Sequence, residues 1–253
     1  MNDRSKPIIY TLFEQPKMSS AIELLGKQAI KTFSRNSHGV LSSCFEENLK
    51  KLKNLAEKIT ADDVCLIKSI ASSKSSKAPV TYVEIYEDTD VTMGIFILKP
   101  GSALPLHDHP MMHGILKVLA GSLTIRSYSK IDNSSLCANL LSRFAGETNV
   151  STVAKKHVIS TVSPSEGCCT LTALDHNLHE ISHTSGQYAA FLDILAPPYC
   201  EDAPDEDKRE CHYFQEIKEI VFQGAVLSIL KEIPSPSSFW SDSAPYFGPP
   251  ISH

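Results

Sequence analysis

From Thr81 onward the sequence breaks into short runs of β-branched and aromatic residues, and this punctuation limits the fold more than any other feature. The runs are Thr81 to Tyr86, Val91 to Leu98, Ile115 to Tyr128 with Gly121 as a turn, Cys168 to Leu174, and Ala189 to Leu195. Strands this closely spaced, separated by Gly and Pro, leave no room for the crossover helices that a parallel sheet requires. An antiparallel barrel or jelly roll is expected, a mainly β fold.

Upstream of these runs the period changes. Ser19 or Ser20 can cap a helix with Ile22, Leu25, Ala29 and Phe33 on one face. Ser43 with Glu46 has the form of a capping box ahead of Phe45, Leu49, Leu52, Leu55 and Ile59. Residues 1–79 therefore read as a helical segment packed on a barrel formed by residues 80–253. Ala71 to Pro79 is expected to be a surface loop between the two. From Lys130 to Ser165 the pattern is weak and polar, an insertion between strands. Ile217 to Leu230 fits helix or strand, and the Pro- and Ser-rich stretch from Pro234 to His253 reads as an extended tail.

A chain of 253 residues that is 42% hydrophobic can bury a core of its own. Its 24 basic and 29 acidic residues show no basic stripe, so nucleic acid is not the expected partner. The apolar run Ile8 to Phe13 is too short for a signal peptide, and no stretch reaches the roughly 18 apolar residues of a membrane span. A soluble cytoplasmic monomer is the expectation. The 7 cysteines are irregularly spaced with no CxxC pair, which points to free thiols. Six of the 10 histidines fall in two short clusters, 107/109/113 and 176/179/183.

The first cluster sits in Gly101-Ser-Ala-Leu-Pro-Leu-His107-Asp-His109, with Gly121 beyond. On a strand, residues two apart share a face, so His107 and His109 can both point into a barrel while Asp108 points away. Two imidazoles on one rigid element are suited to iron, zinc, copper or nickel. Glycine, five residues and His-x-His is the layout of a first cupin motif. The glutamate that commonly follows the second histidine by four or five residues is absent, because those positions hold His113 and Gly114. Three neutral histidines would leave a divalent metal its full charge and favour an anionic, soft substrate such as a thiolate. His113, beside Met111 and Met112, reads as a supporting or surface histidine.

The third ligand is expected from Asp175-His-Asn-Leu-His179-Glu-Ile-Ser-His183. His176 lies in a turn, whereas His179 and His183 share one face if the segment is extended. His179, nearest the turn, is the first choice, with its neighbours as alternatives. Glu180 would face away.

Beyond these clusters, Pro105-Leu-His-Asp-His-Pro110, Met112-His-Gly114, Leu116-Lys-Val-Leu119 and Asn177-Leu-His-Glu-Ile181 occur in order. Ala190-Phe-Leu-Asp-Ile-Leu-Ala-Pro-Pro-Tyr199, Cys211-His-Tyr213, Phe239-Trp240 and Pro245-Tyr246 follow. From about Tyr82 to the C-terminus this resembles the cysteamine (2-aminoethanethiol) dioxygenase and plant cysteine oxidase family. Ala120 departs from it, since animal enzymes commonly carry an aromatic residue there.

The resemblance implies a cupin barrel with one ferrous ion, Fe(2+), per chain on His107, His109 and His179. It implies oxidation of an aminothiol to a sulfinic acid by O2, with cysteamine or proteins bearing an N-terminal cysteine as substrates. It also implies a role as oxygen sensor in the N-degron pathway and the hypoxia response. Asp193, an acidic residue among Phe191, Leu192, Ile194 and Leu195, is the candidate to bind the substrate amine. Tyr199 is the candidate to line the entrance, and Cys211 and Tyr213 to form the thioether known in some thiol dioxygenases. The competing readings are a non-catalytic metal-binding cupin and a cupin dioxygenase acting on carbon.

Overall fold

The structure, a computed structural model, describes residues 19–35, 39–74, 76–131, 134–142, 150–184, 186–200, 202, 204 and 208–252. The run Ile8 to Phe13 lies outside them, as do parts of the segment 130–165. Three helices come first: α1 Ala21–Phe33, α2 Phe45–Ala56 and α3 Leu66–Ser73. Ser20 caps α1, its hydroxyl accepting the Glu23 N–H. The capping box expected at Ser43 does not form. Cys44 occupies the cap position without a side-chain hydrogen bond, its backbone already turned close to helical geometry at φ −95°, ψ 18°. The third helix runs through Ser73, so the expected loop begins later than Ala71.

Thirteen strands follow among the described residues: β1 Val80–Glu87, β2 Thr92–Leu98, β3 Ala103–Asp108, β4 His113–Ala120, β5 Leu123–Lys130, β6 Val150–Lys156, β7 Ser160–Val162, β8 Cys169–Leu171, β9 Leu178–Ser182, β10 Ala189–Ala196, β11 Tyr213–Phe222, β12 Ala225–Ile233 and β13 Ser241–Ser243. A fourth helix, α4 Ser134–Ser142, and strands β6 and β7 occupy the weakly patterned segment. The ambiguous Ile217 to Leu230 region is the β11–β12 hairpin. The tail contributes β13, which pairs with β1 in parallel although the fold is otherwise antiparallel.

One sheet has the order β13-β1-β2-β10-β4-β8. Alternation along its strands gives it two apolar faces. Ile95, Ile115, Leu192 and Ile194 point outward and are covered by Ile22, Leu25, Leu52 and Leu66 of the three helices. Phe191, Leu116 and Val118 point inward, onto Leu104, Ile125 and Ile181 of the second sheet. Burying a large aliphatic or aromatic side chain stabilises by about 1.5–3 kcal/mol, so this two-sided packing makes β2, β4 and β10 the centre of the molecule. Two glycines mark close contacts around it. A Cβ at Gly94 would stand 2.3 Å from the Tyr82 ring, and one at Gly26 of α1 would stand 2.4 Å from Ile251, where the tail crosses the helix.

The second sheet, β6-β12-β11-β3-β9-β5-β7, closes on itself because β6 also pairs with β5. Strands β5, β9, β3, β11, β12 and β6 thus form a complete ring. Each sends one residue to a common buried layer: Tyr128, Leu178, Leu106, Phe214, Leu230 and Ala154. The residues next to these, with opposite direction, are Ser127, His179, His107 and Tyr213. The architecture is the mainly β, double-stranded helix of a cupin with N-terminal α-helices, and its histidines stand between the two sheets.

Candidate metal centre

His107 and His179 face each other directly across the β3–β9 ladder. His109 lies just past β3, and its N–H donates to the Asn177 carbonyl at 2.8 Å, which keeps the chain extended and returns the side chain to the His107 face. The three rings lie with centroids 4.7–4.8 Å apart, and each is buried. One nitrogen from each falls within 4.8 Å of the others, so the three could hold one metal ion.

The surrounding hydrogen bonds fix the ring protons of two of them. His107 Nδ1 is 2.8 Å from the Pro105 carbonyl, which can only accept, so Nδ1 carries the proton and Nε2 is free to ligate. Tyr199 donates its hydroxyl hydrogen to the Asp108 carbonyl at 2.6 Å. Its oxygen must then accept from His109 Nδ1, 3.0 Å away, so His109 also presents a bare Nε2. That Nε2 lies 3.0 Å from His179 Nε2. Burial, then the neighbouring imidazoles, hold His109 and His179 well below the usual histidine pKa, and burial also lowers His107. Neutral, inward-facing imidazole nitrogens are donors that a divalent metal of the first transition row can take.

Asp108 points away, as alternation predicts, and has a role of its own. Its buried carboxylate accepts from Lys130 Nζ at 2.9 Å, from the His212 backbone N–H at 2.9 Å and from His212 Nδ1 at 3.2 Å. It anchors the strand end between His107 and His109, a function that the His-Asp-His triplet alone does not announce. The other members of the two clusters go elsewhere. His113 packs edge-on against Phe45 and near Phe33, outside the barrel. His183 is buried with Nδ1 on the Ser122 carbonyl at 3.0 Å. His176 takes a turn conformation with φ 55° and stacks on His157. Glu180 faces away from the triad and pairs with Arg126.

Asp193 alternates with Leu192 and Ile194 and so points between the sheets, where it lines a cavity of about 400 Å³ together with His179, Leu116 and Ile125. Withdrawal from water pushes its pKa up to about 7. It also borders a second cavity of about 350 Å³ with Tyr82 and Tyr199. Burial holds the Tyr199 phenol well above its ordinary range. The Cys211 thiol is hydrogen-bonded to both Tyr199 and Tyr213, and the Tyr213 ring lies 6.4 Å from that of His107. Ala120 packs with the helical cluster and lines neither cavity.

Comparison with known proteins places the chain among relatives. The family model described as PCO_ADO matches residues 46–251. The 2-aminoethanethiol dioxygenase of Mus musculus is 34% identical over 92% of this chain and 97% of its own length. The 2-aminoethanethiol dioxygenase of Homo sapiens is 33% identical with the same coverage of 92% and 97%. Plant cysteine oxidase 1 of Arabidopsis thaliana is 27% identical over 78% of this chain and 64% of its own. No helix among the described residues is long and apolar enough to cross a membrane. With the match spanning the whole barrel and the histidine triad at its heart, the chain belongs to the PCO_ADO family of thiol dioxygenases.

Proposed function

We propose that this enzyme binds ferrous iron through His107, His109 and His179 and converts the thiol of an aminothiol to a sulfinic acid with O2. The substrates are cysteamine, an N-terminal cysteine of a protein, or both, and oxidation of the latter would make the enzyme an oxygen sensor acting in the cytoplasm as a monomer. The observation that carries the reading is that His179 and Asp193 line one cavity. An aminothiol has two handles a short distance apart, and the cavity offers a soft-anion site beside a carboxylate. Iron, when bound, would supply Lewis acidity toward the thiolate and electrons toward O2.

The chain's residues do the rest. His107 and His109 are held in their ligating tautomers by Pro105 and Tyr199. Asp193, once ionised, orients the substrate amine and discriminates against thiols that lack one. Leu116 and Ile125 give the cavity apolar walls. Both oxygen atoms of O2 end on sulfur and the thiol proton remains on the sulfinic acid or is lost to water, so no external reductant is needed. Iron-loaded protein incubated with cysteamine and with a Cys-initiated peptide should add ~32 Da, two oxygen atoms, to at least one of them. No mass gain on either would end the proposal.

The hydrogen bond between Cys211 and Tyr213 supports a second expectation at the same site. Joining the cysteine sulfur to the tyrosine ring removes two hydrogens, with O2 as the oxidant. Protein purified after turnover should therefore show a fraction lighter by ~2 Da, missing in Cys211→Ala. A fully active enzyme of unmodified mass would rule the thioether out.

A further inference from the structure

A second group of metal-ligating side chains stands at the rim of the same cavity. His157 follows β6, and Asp175 and His176 precede β9, and one ligand atom from each lies within 4.8 Å of the others. The rings of His157 and His176 are stacked, with centroids 3.9 Å apart and planes 27° from parallel. Asp175 Oδ1 is 3.5 Å from His157 Nε2, and Asp175 Oδ2 is 3.8 Å from His176 Nε2. Two imidazoles and a carboxylate are donor types that suit zinc and its neighbours in the first transition row.

Two serines of β5 brace the group. Ser129 Oγ donates to Asp175 Oδ1 at 2.6 Å, accepts the His176 backbone N–H at 2.9 Å, and lies 2.7 Å from His157 Nε2. Ser127 Oγ lies 2.8 Å from His176 Nδ1. His176 adopts a left-handed backbone at φ 55°, uncommon for a residue with a Cβ and consistent with a side chain held in place by its contacts. Hydrogen-bonded partners of this kind are what orient ligating imidazoles in metal sites. Ligation through His157 Nε2 moves that ring's proton to Nδ1, a tautomer shift that adds no charge.

We propose that His157, Asp175 and His176 form a second metal site, for a zinc-type divalent cation, and that its occupation narrows the entrance to the cavity. Asp175 and His176 line that cavity together with His179 and Asp193, so a cation and its remaining water ligands would stand in the path of an incoming amine and repel its charge. The effect on turnover rests on the function proposed above, whereas the site itself does not.

Zinc binding by the full chain, followed by elemental analysis after dialysis at fixed free zinc, separates the two. Wild-type protein should retain a second zinc ion beyond that of the triad, and His107→Ala/His109→Ala should keep that second ion. His157→Ala should lose it, and Asp175→Ala, altered at an exposed carboxylate, should weaken it at least about tenfold. Circular dichroism and melting curves establish that each variant is folded. A second ion that persists in both rim variants, or its absence in wild type, overturns the site. With iron-loaded enzyme, zinc should slow cysteamine oxidation in wild type and do so at least about tenfold less potently in Asp175→Ala. Equal inhibition of both would place the inhibitory zinc at the triad and overturn the gating.

Discussion

Replacing His179 with alanine is expected to remove bound iron and lower kcat/KM for an aminothiol by at least about 100-fold. Losing a hydrogen-bond partner one step behind a metal ligand already costs about 10–100-fold, and His179 is itself one of the three proposed donors. The fold should survive, because the residue lies on a strand paired on both sides, with β3 and β5. His183→Ala is the informative contrast. That ring is equally buried but turns to the Ser122 carbonyl, so its variant should keep iron and most activity. Iron content by elemental analysis and initial rates decide between them, and the triad assignment fails if His179→Ala retains metal and turnover.

Asp193→Asn should have two opposite effects. Loss of a charge-assisted bond to the substrate amine, worth about 1.5–3 kcal/mol, should lower kcat/KM by about 10–150-fold. Metal-free protein, however, should become more stable. Burial pushes the Asp193 carboxyl to about 7, above its value of about 3.9 in an unfolded chain. Between these values the folded state holds the proton more firmly, so stability falls as pH rises and the full penalty is reached above pH ~7. The penalty falls on the ionised carboxylate alone, and asparagine escapes it. Melting temperatures of wild type and variant should thus diverge as pH is raised from about 5 to about 8. A constant gap would show that Asp193 is not held in a water-poor environment, and an unchanged kcat/KM would remove it from substrate binding.

Parts of this architecture are legible in residue order and parts are hidden by it. His107 and His109 follow from their spacing, and β2, β4 and β10 follow from dense apolar runs that are covered on both faces. The closed ring is harder to read for the same physical reason. In β12, Leu227 and Ile229 pack with Leu140 of α4, while Leu230 faces the ring interior and the hydroxyl of Ser228 bonds Glu216. Four consecutive buried residues carry no period of two and fit a helix as well as a strand. In β6, Val153 and Ala154 point to opposite sides, and Lys156 bonds Glu216, so the strand reads as polar and irregular. Residue order already puts His179 ahead of His176 and His183, and the register places it across from His107. The rim group is hidden in residue order because His157 is 18 residues from Asp175 and meets it through the pairing of β5 with β6 and β9.

The closed ring bears on how the enzyme acquires its metal. Two of the three proposed donors, His107 and His179, stand on strands whose neighbours form an unbroken circuit, with a packed layer behind them built from the protein alone. The conformational entropy of arranging the site is therefore lost when the chain folds, before any ion arrives. Metal uptake becomes the filling of a ready socket, in contrast to small zinc domains that collapse only around their ion. On the proposed iron site, stripping the metal should leave a folded, silent protein that returns to work when iron is supplied, so iron supply would set the active fraction without protein turnover.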